Sequence, residues 1–222
     1  FREMVRARAR ELWHAMPSHP LAKRIGISSW EALWAKPAHL AGSLGLDETA
    51  YRAYQRESWG GPLRDLGIRD PELPAALSEC YHRERRLRHR AYPEVHETLE
   101  LLSRKYFLGM VTNGIPGLQR EKIEGARIGG WFRHIIISGD VGRGKPDPSI
   151  FAAALSAFNS APDESCMVGN SLDTDIAGAQ SFGMRCIWLN RAGTPVRRDI
   201  VPDAVIASLR ELPDAIRSME RT

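Results

Sequence analysis

Three short stretches combine side chains able to hold a charged group. The first is Met110-Val111-Thr112-Asn113-Gly114, in which a hydroxyl, an amide and a glycine follow the apolar run Tyr106 to Val111 and precede Pro116. An apolar run with aromatic and β-branched members reads as a buried strand, and proline can open the helix after it. A turn from strand to helix in an open α/β sheet lies at the carboxyl end of a strand, where ligands bind and where backbone N–H groups favour an anion. The second stretch, Gly144-Lys145-Pro146-Asp147-Pro148, fixes a lysine between a glycine and two prolines. Such a lysine suits a point charge that meets a phosphate in one place; a surface lysine in a turn is the ordinary alternative. The third runs from Val168 through Gly169, Asn170, Ser171, Leu172, Asp173, Thr174 and Asp175 to Ala179. Hard cations such as Mg²⁺ take oxygen ligands, which Asn170, Asp173 and Asp175 can supply. Asn170 and Asp173 can equally cap a helix, with Asp175 in its first turn, and capping is compatible with ligation.

These stretches need a scaffold, and from Pro93 onward the sequence alternates helix and strand. Helices are expected at Glu94 to Ser103, Gly117 to Ala126, Pro148 to Phe158, Asp173 to Phe182 and Leu209 to Met219. Strands are expected at Phe107 to Val111, His134 to Ser138, Cys166 to Val168, Cys186 to Leu189 and Ala204 to Ile206. Strands separated by helices predict a parallel, doubly wound sheet. From Phe1 to about Ala91 the signals are helical. Phe1, Met4, Val5, Leu12 and Trp13 line one side of a first helix, with Arg2, Arg6, Arg8 and Arg10 outside. A helix from Ser29 to Ala35, capped by Ser28 or Ser29, is expected to stop at Pro37. Another, capped by Asp47, is expected to reach about Trp59 and break at Gly60-Gly61-Pro62. Pro71 to Arg90 reads as one long helix, and Trp13, Trp30, Trp34 and Trp59 read as bundle core.

Composition narrows the function classes. The chain of 222 residues is 43% hydrophobic and 26% charged, the profile of an ordinary globular protein. It has no apolar run near the roughly 20 residues that span a bilayer. The net charge of +4 invites a nucleic-acid reading, centred on Arg83, Arg85, Arg86, Arg88 and Arg90. Glu79, Glu84 and Glu94 interleave with them and no aromatic-basic module accompanies them, so a solvated helix face is expected. Cys80, Cys166 and Cys186 are too few and too far apart for a zinc ribbon or a secreted disulfide framework, which points to the cytoplasm.

Taken in order, the three stretches resemble the second, third and fourth motifs of the haloacid dehalogenase superfamily of hydrolases, in its branch with a helical cap inserted early in the chain. The likeness covers about Pro93 to Leu212. Val111 to Pro148 and Ile187-Trp188-Leu189-Asn190 resemble phosphatases of nucleoside monophosphates or small phosphorylated metabolites. The resemblance implies an α/β protein: a helical cap over residues 1–91 and a Rossmann-like, doubly wound parallel sheet over 92–222. It also implies Mg²⁺-dependent hydrolysis of a phosphomonoester through an aspartyl-phosphate. Thr112 and the backbone of Asn113 and Gly114 would hold the phosphoryl oxygens, Lys145 would neutralise charge, and Asn170 and Asp175 would serve the magnesium. The expected partner is a small phosphorylated substrate, with no nucleic acid and no membrane, bound by a monomer or homodimer.

Two departures stand out. The family's first motif, an apolar strand ending in Asp-x-Asp, is absent, and Asp173-Thr174-Asp175 follows a Gly-Asn turn instead of a strand. The nucleophile and the central strand are therefore expected upstream of Phe1. Asn170 stands where metal-dependent members carry aspartate, which predicts weaker Mg²⁺ affinity. It keeps open a 2-haloacid dehalogenase-like activity, and a phosphate-ester-binding protein without turnover is a third alternative.

Overall fold

The computed structural model describes residues 1–45 and 47–221. The chain runs through α1 (Arg2–Ala15), α2 (His19–Arg24), α3 (Ser29–Ala32), α4 (Pro37–Leu44), α5 (Glu48–Asp65) and α6 (Leu73–Leu87). There follow α7 (Val95–Ser103), β1 (Gly109–Thr112), α8 (Pro116–Gly125), β2 (His134–Ile137), α9 (Ser138–Val141) and α10 (Pro148–Phe158). The rest comprises β3 (Cys166–Gly169), a π-helical segment Leu172–Ile176, α11 (Ala177–Ser181), β4 (Arg185–Leu189), β5 (Ala204–Ile206) and α12 (Leu212–Met219). Two compact units result. The first contains Phe1–Arg90, Asn113–Ala126 and Ile137–Gly142; the second contains Ala91–Thr112, Arg127–Ile136 and Arg143–Thr222.

In the first unit, helices close around a core that includes Val5, Ala9, Trp13, Leu33, Trp34, Leu40, Tyr51 and Tyr54, together with Ile115 and Leu118 of α8. Periodic apolar positions make α1 amphipathic, and Val5, Ala9 and Trp13 form its buried stripe. The core is fastened by polar groups that satisfy the carbonyls at the end of α3. The Tyr51 hydroxyl reaches the carbonyls of Ala32 and Ala35, the latter at 2.8 Å. Gln55 Nε2 donates to Leu33 O at 3.1 Å. Helix ends leave such carbonyls without intrahelical partners, so side chains from α5 supply them.

Two sequence expectations are corrected here. Pro37 does not end a helix but opens α4, where its missing N–H removes no bond that a first turn needs. Gly60-Gly61-Pro62 does not break α5, which continues to Asp65 with Pro62 inside it. The neighbours explain the glycine. A Cβ on Gly61 would lie 3.0 Å from Arg8 Nε, so glycine allows this close approach to α1. Tertiary contact there outweighs a poor local propensity.

The second unit is α/β. Strand β4 pairs in parallel with β3 (Cys166 opposite Arg185, Gly169 opposite Trp188) and with β5 (Ile187 opposite Ala204). Cys186, Ile187 and Trp188 are all buried, as expected of a strand flanked on both sides and covered on both faces. β1 and β2 form a separate two-stranded sheet. Leu102 of α7, Ile187, Ile206 and Leu212 form one apolar cluster, with Val168 and Ile216 packed on it.

Candidate active site

In the second unit, the lysine of the Gly-Lys-Pro turn and the buried aspartate of the third stretch meet. Lys145 Nζ lies 2.8 Å from Asp175 Oδ1 and donates to Val111 O at 2.7 Å. Their side chains are only 10% and 8% exposed. Val111 and Thr112 are the last residues of β1, so the ammonium is fixed beside the carboxyl end of that strand.

The backbone around Asp175 explains its placement. Ser171 Oγ accepts from Thr174 N–H at 3.2 Å and caps the segment. The N–H groups of Asp175 and Ile176 both bond to Ser171 O, at 3.0 and 3.1 Å, and this widened turn is the π-helical stretch. Such single wide turns occur frequently at functional sites. Asp175 Oδ2 accepts Ser171 N–H at 3.0 Å, leaving Oδ1 to face the lysine. Gly169 makes room, because a Cβ there would lie 2.3 Å from Asp175 Cβ. Gly178 likewise admits the lysine turn, since its Cβ would lie 3.1 Å from Pro146 Cα. The expected helix from Asp173 to Phe182 is thus a π turn followed by α11.

Asn170 and Asp173 of the same stretch are exposed, unlike Asp175. The Asn170 carbonyl accepts Trp188 Nε1–H at 3.1 Å. Asp173 pairs with Arg197 at 2.5 Å. Asp173 therefore does not share the position of Asp175. Among the described residues, no group of three or more His, Cys, Asp and Glu is arranged to hold a metal.

Asn113 and Gly114 belong to the first unit. Gly114 N–H donates to Ser138 Oγ at 2.9 Å, and Ser138 Oγ donates to Ile25 O. The backbone amide expected to hold a phosphoryl oxygen is thus engaged inside the protein, and Gly114 serves the turn through its φ of +138°. A residue with a side chain rarely adopts that value. Asn113 O accepts from Gln119 Nε2 at 3.0 Å, and Gln119 Nε2 also donates to Glu31 Oε1 at 2.6 Å. Sequence reasoning missed Glu31, Gln119 and Ser138. They are common polar residues in helical or turn-like surroundings, and only the folded chain brings them to Gly114.

Comparison with known proteins bears on what these groups do. The haloacid dehalogenase-like hydrolase family model matches residues 4–183. The chain is 40% identical over 217 residues to a phosphoserine phosphatase of Thermus thermophilus, covering 94% of this chain and 82% of that one. It is 36% identical over 165 residues to a glyceraldehyde 3-phosphate phosphatase of Pyrococcus furiosus, covering 72% and 67%. Among solved structures, a 2-haloacid dehalogenase from Pseudomonas syringae pv. Tomato DC3000 matches with a TM-score of 0.58 and 29% identity, over 97% of this chain and 92% of that one.

Proposed function

We propose a reaction and a substrate class from one premise: the chain belongs to the haloacid dehalogenase-like hydrolase family. It is a hydrolase whose relatives include phosphatases. The reading is a phosphomonoesterase acting on a small phosphorylated metabolite, with phosphoserine the first candidate because of the 40% identity to a phosphoserine phosphatase. The observation that carries it is the Lys145–Asp175 pair anchored on Val111 O, beside Thr112.

In this reading the Thr112 hydroxyl and the Asn113 backbone hold phosphoryl oxygens, while the Lys145 ammonium faces the charge of the transferring group. Such charge stabilisation is the main task in phosphoryl transfer. Asp175 and Val111 O fix the ammonium before substrate arrives, so little reorganisation is needed during the reaction. Attack on phosphorus by an aspartate of the family's first motif would give an aspartyl-phosphate that water then cleaves. The oxygen donors of Asn170 and Asp175 suit a hard cation, and these two residues would hold magnesium. When bound, Mg²⁺ neutralises non-bridging phosphoryl oxygens. The free thiols of Cys80, Cys166 and Cys186 accord with a reducing cytoplasm. No helix among the described residues is long and apolar enough to cross a membrane.

A second reading, 2-haloacid dehalogenase activity, draws on the 29% identity to the Pseudomonas enzyme and on Asn170, an amide in place of a second carboxylate. One assay separates the two. Phosphoserine, glyceraldehyde 3-phosphate, nucleoside monophosphates and 2-chloropropionate are supplied in turn, with Mg²⁺ and with EDTA. Phosphate release that EDTA abolishes is expected. Chloride release without metal, and no phosphate from any ester, would overturn the phosphatase reading.

A further inference from the structure

The peptide group joining Asn113 to Gly114 is held at both ends. Its carbonyl, Asn113 O, accepts from Gln119 Nε2 at 3.0 Å, and its amide, Gly114 N–H, donates to Ser138 Oγ at 2.9 Å. Two bonds of opposite sense on one peptide fix the rotation of its plane, and so fix ψ of Asn113 and φ of Gly114. Gln119 can act as such a clamp only if its amide is itself held. Glu31 Oε1 does this at 2.6 Å, and the same oxygen takes Lys122 Nζ at 2.9 Å. Gln119 is 8% exposed and the Glu31 side chain 13%, so neither has ready access to water as a substitute.

We propose that Glu31 is a positioning residue for the phosphate-binding turn, acting through Gln119 on the Asn113–Gly114 peptide. The proposal rests on the phosphatase reading of that turn and adds to it a residue 82 positions upstream in sequence. Three observations support a brace over incidental packing. Glu31 enters α3 at a fixed point, because Ser28 Oγ accepts its backbone N–H at 3.1 Å. Lys122, its charge partner, lies 5.0 Å from the Trp34 ring, which is buried, so the lysine is held as well. The fit against the turn is tight: a Cβ on Gly114 would lie 2.2 Å from Gln119 Nε2 and 2.9 Å from Glu31 Oε1. Burial pushes the Glu31 carboxyl above its ordinary range, while Lys122 and Gln119 pull it back. A carboxylate kept in so unfavourable a place is consistent with a role that a neutral apolar residue would not fill.

The role requires an acceptor oxygen at position 31, whereas the ion pair requires a charge. Glu31→Gln keeps the first and removes the second; Glu31→Leu removes both; Gln119→Leu cuts the link from its other end. Two readouts apply to the full protein: hydrogen exchange of the Gly114 amide, and kcat and KM with phosphoserine. Glu31→Leu and Gln119→Leu are expected to speed Gly114 exchange and to lower kcat by about tenfold to a hundredfold, with KM changing far less. The double variant should be no worse than either single variant, because both remove one connection. Glu31→Gln should recover most of the loss.

Equal damage in Glu31→Gln and Glu31→Leu would overturn the proposal, since charge and not the acceptor would then matter. Unchanged exchange and kcat in folded Glu31→Leu would do the same. Should Glu31→Leu fail to fold, Gln119→Leu carries the same two expectations. A wild type that hydrolyses no phosphate ester sinks the phosphatase reading alone, because exchange at Gly114 still decides whether Glu31 holds this peptide.

Discussion

Lys145 with Asp175 in the second unit, and Lys122 with Glu31 in the first, are ion pairs of nearly equal length, 2.8 and 2.9 Å. Their surroundings differ. Asp175 is oriented by main chain, through Ser171 N–H and the space left by Gly169, and its lysine also bonds a strand carbonyl. Glu31 is oriented by a helix cap, and its other partner is a neutral amide that leads to a loop. The first pair presents a fixed cation at the end of a strand. The second transmits position from a helix to a turn. A buried pair is weak evidence for stability in itself, so the partners around it carry the functional meaning.

The contrast can be broken by substitution, with the largest effect expected at the strand end. Lys145→Met should lower turnover by about a hundredfold to a thousandfold. Because it leaves Asp175 buried without its cation, it should also destabilise by about 3–5 kcal/mol, read as a lower urea midpoint. Comparable loss of turnover from Lys122→Met would erase the distinction between the two pairs. Gly169→Ala tests the main-chain orientation of Asp175. Its methyl would meet Asp175 Cβ at 2.3 Å, so about 1–3 kcal/mol of stability should be lost by overpacking. Denaturation paired with kinetics would show whether turnover falls too.

Smaller effects sharpen the picture. Asn170→Asp adds a negative charge to the proposed magnesium site and should lower the half-saturating Mg²⁺ concentration by about tenfold; an unchanged titration would remove Asn170 from that site. The smallest expected effect concerns Glu31 and pH. Its pKa is raised by burial, so the folded state takes up a proton more readily than the unfolded chain. The resulting stability is fully present below the unfolded pKa and is lost as pH rises through the folded one. Relative to Glu31→Gln, the wild type should gain stability as pH is lowered from neutral, seen in paired thermal melts. An opposite slope would mean that Lys122 outweighs burial at this carboxylate.

Much of this was legible in the sequence because it is local. Helix α10 begins at Pro148 and ends at Phe158 as the apolar pattern predicts, and Asp147, just before it, caps through Ser149 N–H. Strands β3 and β4 fall on the expected apolar runs, each lengthened by one residue. Lys145 and Asp175 were visible as residue types in rigid or oxygen-rich turns, although 30 residues separate them. The missed features are those that distant partners decide. The continuation of α5 through Gly60-Gly61-Pro62 depends on closeness to Arg8, which no local propensity encodes. The engagement of the Gly114 amide depends on Ser138, and the Glu31 brace spans 88 residues to Gln119. A polar side chain in a helix has the same appearance in sequence whether it faces water or a buried neighbour.

The wide turn at Leu172–Ile176 has a bearing on how this segment can change length. It holds one residue more per turn than an α-helix would. A single deletion among Leu172, Asp173 and Thr174 would let it relax into regular helix and bring Asp175 one residue nearer its Ser171 cap, a change of about 100° about the axis. Asp175 would then swing away from Lys145, although every remaining side chain stayed the same. Insertions and deletions should therefore be excluded from these few positions and fall instead in exposed chain such as Thr194 to Asp199, where no helical phase has to be kept.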